Sequence, residues 1–130
     1  MPQADRGSVW IVDLGMIAKV RPCLVLSVPT DPQNRVLVTL VPHTTSVQGT
    51  RFEVPVKAGF LHRGGVFDAQ QVLTVPQVKL VRKLGSLPAD QLALVETAVR
   101  NWLAIRPKWK AFACPPSPAS PRDRLRAGTQ

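Results

Sequence analysis

Before Pro88, no interval between the apolar runs of this chain is long enough for the crossover that joins parallel strands, which needs a dozen residues or more. Residues 9–14, 21–27, 35–41, 50–56, 66–75 and 81–84 are rich in β-branched and aromatic side chains, and Pro, Gly, Asn and Asp crowd the stretches between them. The pattern predicts five or six short antiparallel strands. Residues 76–80 read as a short turn or helix, Pro42 ends the third run, and Gly85-Ser86 ends the last. From Pro88 the period changes: Leu92, Val95, Val99, Trp102 and Leu103 recur at helical spacing, with Asp90, Glu96 and Arg100 lying elsewhere. Proline and Asp90 suit a helix start, and Arg106-Pro107 stops the helix near Ile105. The expected fold is mainly β (α+β): a strongly twisted antiparallel sheet or small barrel capped by a C-terminal amphipathic helix. A doubly wound α/β fold is excluded.

At 130 residues the chain holds one domain, residues 1–106, and a tail, residues 107–130. Pro115, Pro116, Pro118 and Pro121 lie there among Ser, Ala and basic residues that bury no core, so the tail reads as disordered. No apolar run approaches the roughly 20 residues that span a bilayer, and Met1-Pro2-Gln3-Ala4-Asp5 carries no secretory pattern, which predicts a cytoplasmic protein away from membranes. Cys23 and Cys114 make neither a disulfide framework nor a zinc spacing. Charge says more: 17 Lys and Arg against 8 Asp and Glu give +9, of which +5 falls from Arg106 onward and +4 on the rest. A polyanion is the leading class of partner.

Two stretches carry the chemistry. In Lys19-Val20-Arg21-Pro22-Cys23-Leu24-Val25-Leu26-Ser27 a cation and a proline open an apolar run, and in Val41-Pro42-His43-Thr44-Thr45-Ser46 another run ends in hydroxyls and an imidazole. Arg21 and Thr44, each at a strand end, would make a donor-rich spot suited to a phosphate. Singly, Arg21 fits a salt bridge with Asp13 or Asp68, and Thr44 fits a turn that bonds its own backbone. The glycines of residues 59–65 precede no Gly-Lys-Ser or Gly-Lys-Thr and no helix, so that loop is a hairpin tip and not a phosphate cradle. There is no Gly-x-Ser-x-Gly elbow, and the carboxylates are too few and scattered for a two-metal nuclease. Phosphodiester chemistry here would be metal-free, with an RNA's own 2′-hydroxyl as nucleophile and Arg and hydroxyl donors on the phosphate. His43 and His62 are either an acid–base pair or two loop histidines that never meet. Trp10 and Phe67 are either base-stacking platforms or core, and Trp102 lies in the helix stripe with Trp109 just beyond it.

In order and spacing, residues 6–14, 20–27 and 41–46 resemble the MazF/PemK family of toxin–antitoxin endoribonucleases, and Phe52-Glu53-Val54, Gln71-Val72, Leu84-Gly85-Ser86-Leu87 and the closing helix continue the likeness. The resemblance implies a small SH3-like barrel, a homodimer, and cleavage of single-stranded RNA to a 2′,3′-cyclic phosphate and a 5′-hydroxyl without metal or other cofactor. It also implies a cognate antitoxin whose flexible acidic segment lies across the site. Arg21 and Thr44 take the catalytic positions, and Lys19, His43, Thr45, Asp68 and Gln70 stand as substrate contacts. An aspartate often precedes the valine of the fifth strand by two residues; here Gln70 stands there, with Asp68 two residues earlier. The first hairpin loop lacks the Gly-x-Glu segment, which leaves Arg21, His43 or solvent as proton acceptor. The alternatives are a non-catalytic toxin on the same barrel, similar to the gyrase poisons, and a plain nucleic-acid binder that works through its basic tail.

Overall fold

The computed structural model describes residues 4–15 and 19–105. It contains β1 (Ser8–Asp13), β2 (Val20–Val25), β3 (Leu37–Thr44), β4 (Glu53–Pro55), β5 (Val66–Asp68), β6 (Leu73–Pro76), β7 (Leu80–Ser86) and α1 (Ala89–Leu103). All strand pairs are antiparallel, as the short connections require. The sheet runs β4-β5-β3-β2-β1-β7, and β6 also lies along β3. The tail and the tip of the first hairpin, residues 16–18, lie outside the described residues.

Three expectations about strand limits change. β3 does not stop at Pro42 but runs on to Thr44. On one side Pro42 is opposite Cys23 of β2. On the other side the ladder is interrupted, because β6 pairs up to Leu40 and β5 takes over at His43, so the missing N–H falls where a partner strand is broken. The single strand expected over residues 66–75 is divided into β5 and β6 by a 3-10 turn, Ala69–Gln71. Asp68 starts that turn, its Oδ1 accepting from the Gln70 N–H at 3.1 Å and its Oδ2 from the Gln71 side-chain amide at 2.9 Å. β7 likewise extends through Gly85-Ser86. There a bare α-carbon is needed: a Cβ on Gly85 would lie 2.5 Å from Cε2 of Phe60.

Because side chains alternate across a strand, the sheet has a core on each face. Val9, Leu24 and Val41 join Phe52, Val54, Leu61, Phe67 and Leu87 under Val95, Ala98 and Val99 of α1. Trp10, Val12, Cys23, Val25, Val38 and Leu40 form the second core, which Leu73 and Val75 of β6 and Leu80 of β7 close as the sheet curls. Trp10 and Phe67 are therefore core, 4% and 0% exposed, and neither offers a face to a base. Trp10 Nε1 donates to Ser8 Oγ at 3.0 Å.

Asp90 lies in the first turn of α1, and Ala104 closes the helix in the left-handed conformation, donating its N–H to the Arg100 and Asn101 carbonyls. An Arg6–Glu96 ion pair ties the approach to β1 onto the helix. The buried stripe is shorter than the periodicity implies: Trp102 and Leu103 are 42% and 47% exposed, Trp102 meeting Phe52 edge-on at 5.2 Å. No helix among the described residues is long and apolar enough to cross a membrane.

Candidate active site

Arg21 lies on β2 directly opposite Val12 of β1, whose side chain belongs to the second core. Cys23 is opposite Pro42 on β3, the last pair of that ladder, and by alternation Arg21 and Thr44, each two residues further on, lie on one face at the same end of the two strands. Thr44 in turn pairs with Val66 on β5, and Val66 with Pro55 on β4. One cross-strand row, Thr44, Val66, Pro55, thus runs over three strands at the rim of the sheet, with Arg21 just past the end of the β2–β3 ladder. The two stretches singled out in the sequence meet because the Cys23–Pro42 register brings them together.

Thr44 is 8% exposed, and its Oγ1 accepts from the Ser46 N–H at 3.0 Å. The turn role is therefore real, and it leaves the hydroxyl proton to donate elsewhere. Thr45, one residue on, is exposed. The loop that follows is held by a carboxylate whose importance the sequence does not signal. Glu53 accepts from the Gln48 N–H at 2.9 Å, the Gly49 N–H at 2.7 Å and the Thr50 N–H at 3.2 Å. The Gln48 amide foremost, then Gly49 and Thr50, hold its carboxyl below its ordinary pKa against a partial desolvation. From alternation alone Glu53 looks like a solvated strand residue.

His43 does not stand with Thr44. As its neighbour on β3 it points to the opposite face, where it is 4% exposed and meets the Phe67 ring edge-on at 5.0 Å. Its pKa is lowered first by burial and then by the charge of His62, so the two histidines are neighbours, but His43 stays neutral in the core. The expected contact with substrate gives way to packing, because consecutive strand residues cannot share a face. Asp68 is also nearly buried, at 9%, with both oxygens engaged within its own turn. Gln70 on that turn and Lys19 at the mouth of β2 are exposed, Lys19 with a positive φ of 55°. The Cys23 thiol donates to the Arg21 carbonyl at 3.6 Å, and burial pushes its pKa up to about 12, Arg21 opposing.

Residues 5–103 match the model of the PemK-like, MazF-like toxins of type II toxin–antitoxin systems. This chain belongs to that family. It is 32% identical over 91 residues to endoribonuclease MazF3 of Mycobacterium tuberculosis, an alignment covering 69% of this chain and 88% of the relative. Among solved structures it is similar to the M. tuberculosis toxin MazF-mt6, at 31% identity and a TM-score of 0.66, with 76% of this chain and 98% of that one covered. A MazE–MazF structure from Deinococcus radiodurans shares 25% identity at a TM-score of 0.68, covering 82% of this chain and all of the other. The family confirms the mainly β fold with its closing helix, and its match leaves out the tail.

Proposed function

We propose that this PemK/MazF-family chain is a cytoplasmic endoribonuclease toxin that cuts single-stranded RNA at the Arg21–Thr44 rim, without metal, and that a cognate antitoxin silences it. The observation that carries the reading is the Cys23–Pro42 pair, from which alternation puts Arg21 and Thr44 on one face at the same end of β2 and β3. The Arg21 guanidinium takes two non-bridging oxygens of the scissile phosphate, and the Thr44 hydroxyl, already fixed by Ser46, donates to the same phosphate. The RNA 2′-oxygen attacks phosphorus as its proton departs, the P–O5′ bond breaks, and the 5′-oxygen leaves as a hydroxyl after taking up a proton. A 2′,3′-cyclic phosphate remains. Negative charge builds on the phosphoryl oxygens during attack, so fixed donors there stabilise the transition state more than the bound RNA. Because His43 faces the core and a guanidinium has donors and no acceptor, water takes the 2′-hydroxyl proton.

The carboxylates favour a metal-independent route by their commitments. Asp68 holds its turn, Glu53 its loop, Asp13 the Gly15 N–H and Glu96 the Arg6 guanidinium. Among the described residues no three His, Cys, Asp or Glu side chains converge. Exposed Lys19, Thr45 and Gln70 flank the rim as substrate contacts, and Asp68 acts by shaping the turn that presents Gln70. The net +9 suits RNA and an acidic antitoxin segment alike. MazE in the D. radiodurans structure is the precedent for such a partner. Exposed Leu94, Trp102, Leu103 and Ile105 on α1 and its exit favour a homodimer.

The test is to incubate the purified chain with a long unstructured RNA in excess EDTA, beside Arg21→Ala and Thr44→Ala, and to map the ends. Sequence-restricted cuts with 2′,3′-cyclic phosphates in the wild type, lost in both variants, are expected. Intact RNA with wild-type protein across several diverse substrates overturns the catalytic reading.

A further inference from the structure

Beyond Thr44 the cross-strand row opens into a cavity of about 1050 Å³. Val66 and Pro55, the last two members of the row, line it, as do Leu61, Gly65 and Gln91. The loop between β4 and β5 is therefore more than the hairpin tip the glycines suggest, since Leu61 and Gly65 are buried and form a wall. Gly65 is fixed there by contact: a Cβ on it would lie 2.2 Å from Cε1 of His43 and 3.0 Å from the Thr44 carbonyl oxygen. The wall of the cavity is thus the backbone that packs on the Thr44 strand end.

Three features define what fits. The inner walls are apolar, from Val56, Ala58, Leu61 and Val66. Gln91 also contributes to the lining, and its Oε1 is buried with no hydrogen-bond partner, so a turn of this side chain toward a bound donor would satisfy it. Lys57, His62 and Arg63 also contribute to the lining, all three exposed, while no carboxylate does. His62 Nδ1 lies 2.9 Å from the Arg63 carbonyl, which can only accept; the proton sits on Nδ1 and Nε2 is left outward-bonding. An apolar slot with one amide inside and cations on exposed residues matches a nucleotide, with its base inside and its phosphates at the mouth.

We propose that this cavity is a nucleobase subsite, holding an unstacked base of the strand next to the one whose phosphate lies at Arg21 and Thr44, with Gln91 reading an N–H on its edge. It rests on the RNA reading above. The placement follows from the sheet: Val66 is on the strand adjacent to Thr44, about 5 Å away in the hydrogen-bonding direction. A strand lying along the row has its next base at the cavity mouth. Gln91→Leu is expected to relax base choice at one position beside the cut and to lower cleavage of the preferred sequence in step with its weaker binding.

The test separates this subsite from the cleavage chemistry. A mixed-sequence single-stranded DNA decamer, which lacks the 2′-hydroxyl and cannot be cut, is titrated into 15N-labelled full-length protein. Movement of the Gln91 side-chain amide and the Gly65 amide is expected, with binding weakened about tenfold in Gln91→Leu at unchanged salt dependence. In Lys57→Ala/Arg63→Ala the slope of log K against log salt should fall by about 1.4. Thermal melting of Gln91→Leu checks that α1 is intact, and Gln91→Asn, which keeps an amide acceptor without adding charge, should retain binding better than Leu. A decamer that moves the Thr44 amide and leaves Gln91 and Gly65 still overturns the subsite and spares the nuclease. Wild-type protein that cuts no RNA while Gln91 responds to the decamer keeps the subsite and removes the cleavage. Response of Gln91 to an acidic peptide and not to the decamer overturns the nucleotide as occupant.

Discussion

Thr44 does two things with one oxygen, accepting from Ser46 and keeping a proton to donate, and substitutions can separate them. Thr44→Ser preserves both and should cleave near the wild-type rate. Thr44→Val keeps the shape but loses both, and kcat should fall by about 10²–10³ with KM little changed, the signature of an interaction made in the transition state. Steady-state cleavage of a fluorogenic oligonucleotide measures the difference. Cys23, next but one to Arg21, makes the opposite case: its thiol is buried and held protonated, with a pKa of about 12. It is inert despite its address beside the site. In a Cys114→Ser background a thiol reagent at pH 8 should leave Cys23 untouched until denaturant is added.

The connections between strands carry as much of the site as the strands do. Glu53 gathers three successive loop amides just beyond Thr44-Thr45-Ser46, so its carboxylate sets where the exposed half of the rim lies. Glu53→Gln should speed hydrogen exchange at Gln48, Gly49 and Thr50 and cut kcat/KM by up to about 10²-fold through misplacement, with the melting temperature barely moved. Gly85 illustrates the reverse, a position that matters for stability and not for chemistry. Gly85→Ala drives a methyl into the Phe60 ring, and denaturant unfolding should show a loss of about 1–3 kcal/mol with the cleavage motif unchanged.

For the molecule as a whole, acid is the informative stress. His43 is buried neutral with a pKa below the ordinary 6.5, so the unfolded chain takes up its proton first. Its contribution is fully present above about pH 6.5 and is lost as pH falls from there toward the folded value. Glu53, lowered from 4.5, adds a second loss that begins below that pH. Melting temperature should therefore start to drop below pH 6.5, and His43→Leu should flatten that first decline while leaving the second. Calorimetry from pH 8 to 3.5 on both proteins decides it. Charge acts at the same scale. Deleting residues 107–130, five basic residues against one acid, should leave the cut sequence unchanged and make RNA binding less sensitive to salt.

Period and spacing determined the class of fold. Short β-rich runs without crossovers force antiparallel pairing, and the change to helical period at Pro88 marks α1 to within a residue or two. The Arg-Pro and Pro-His-Thr-Thr motifs were legible as a candidate site through their order and spacing together, since singly the arginine fits a salt bridge and the threonine a turn. Tertiary structure decided which neighbours share a face. His43 and Thr44 look equivalent as letters, yet alternation sends one into the core and the other to the rim, and only the Cys23–Pro42 register shows which. Pro42 can lie within β3 only because two other segments divide the far side of that strand between them. Glu53 and Gln91 were silent for different reasons: Glu53 bonds amides only three to five residues away, but only the folded turn aims them at its carboxylate, whereas the missing partner of Gln91 depends on what the distant β4–β5 loop brings to α1.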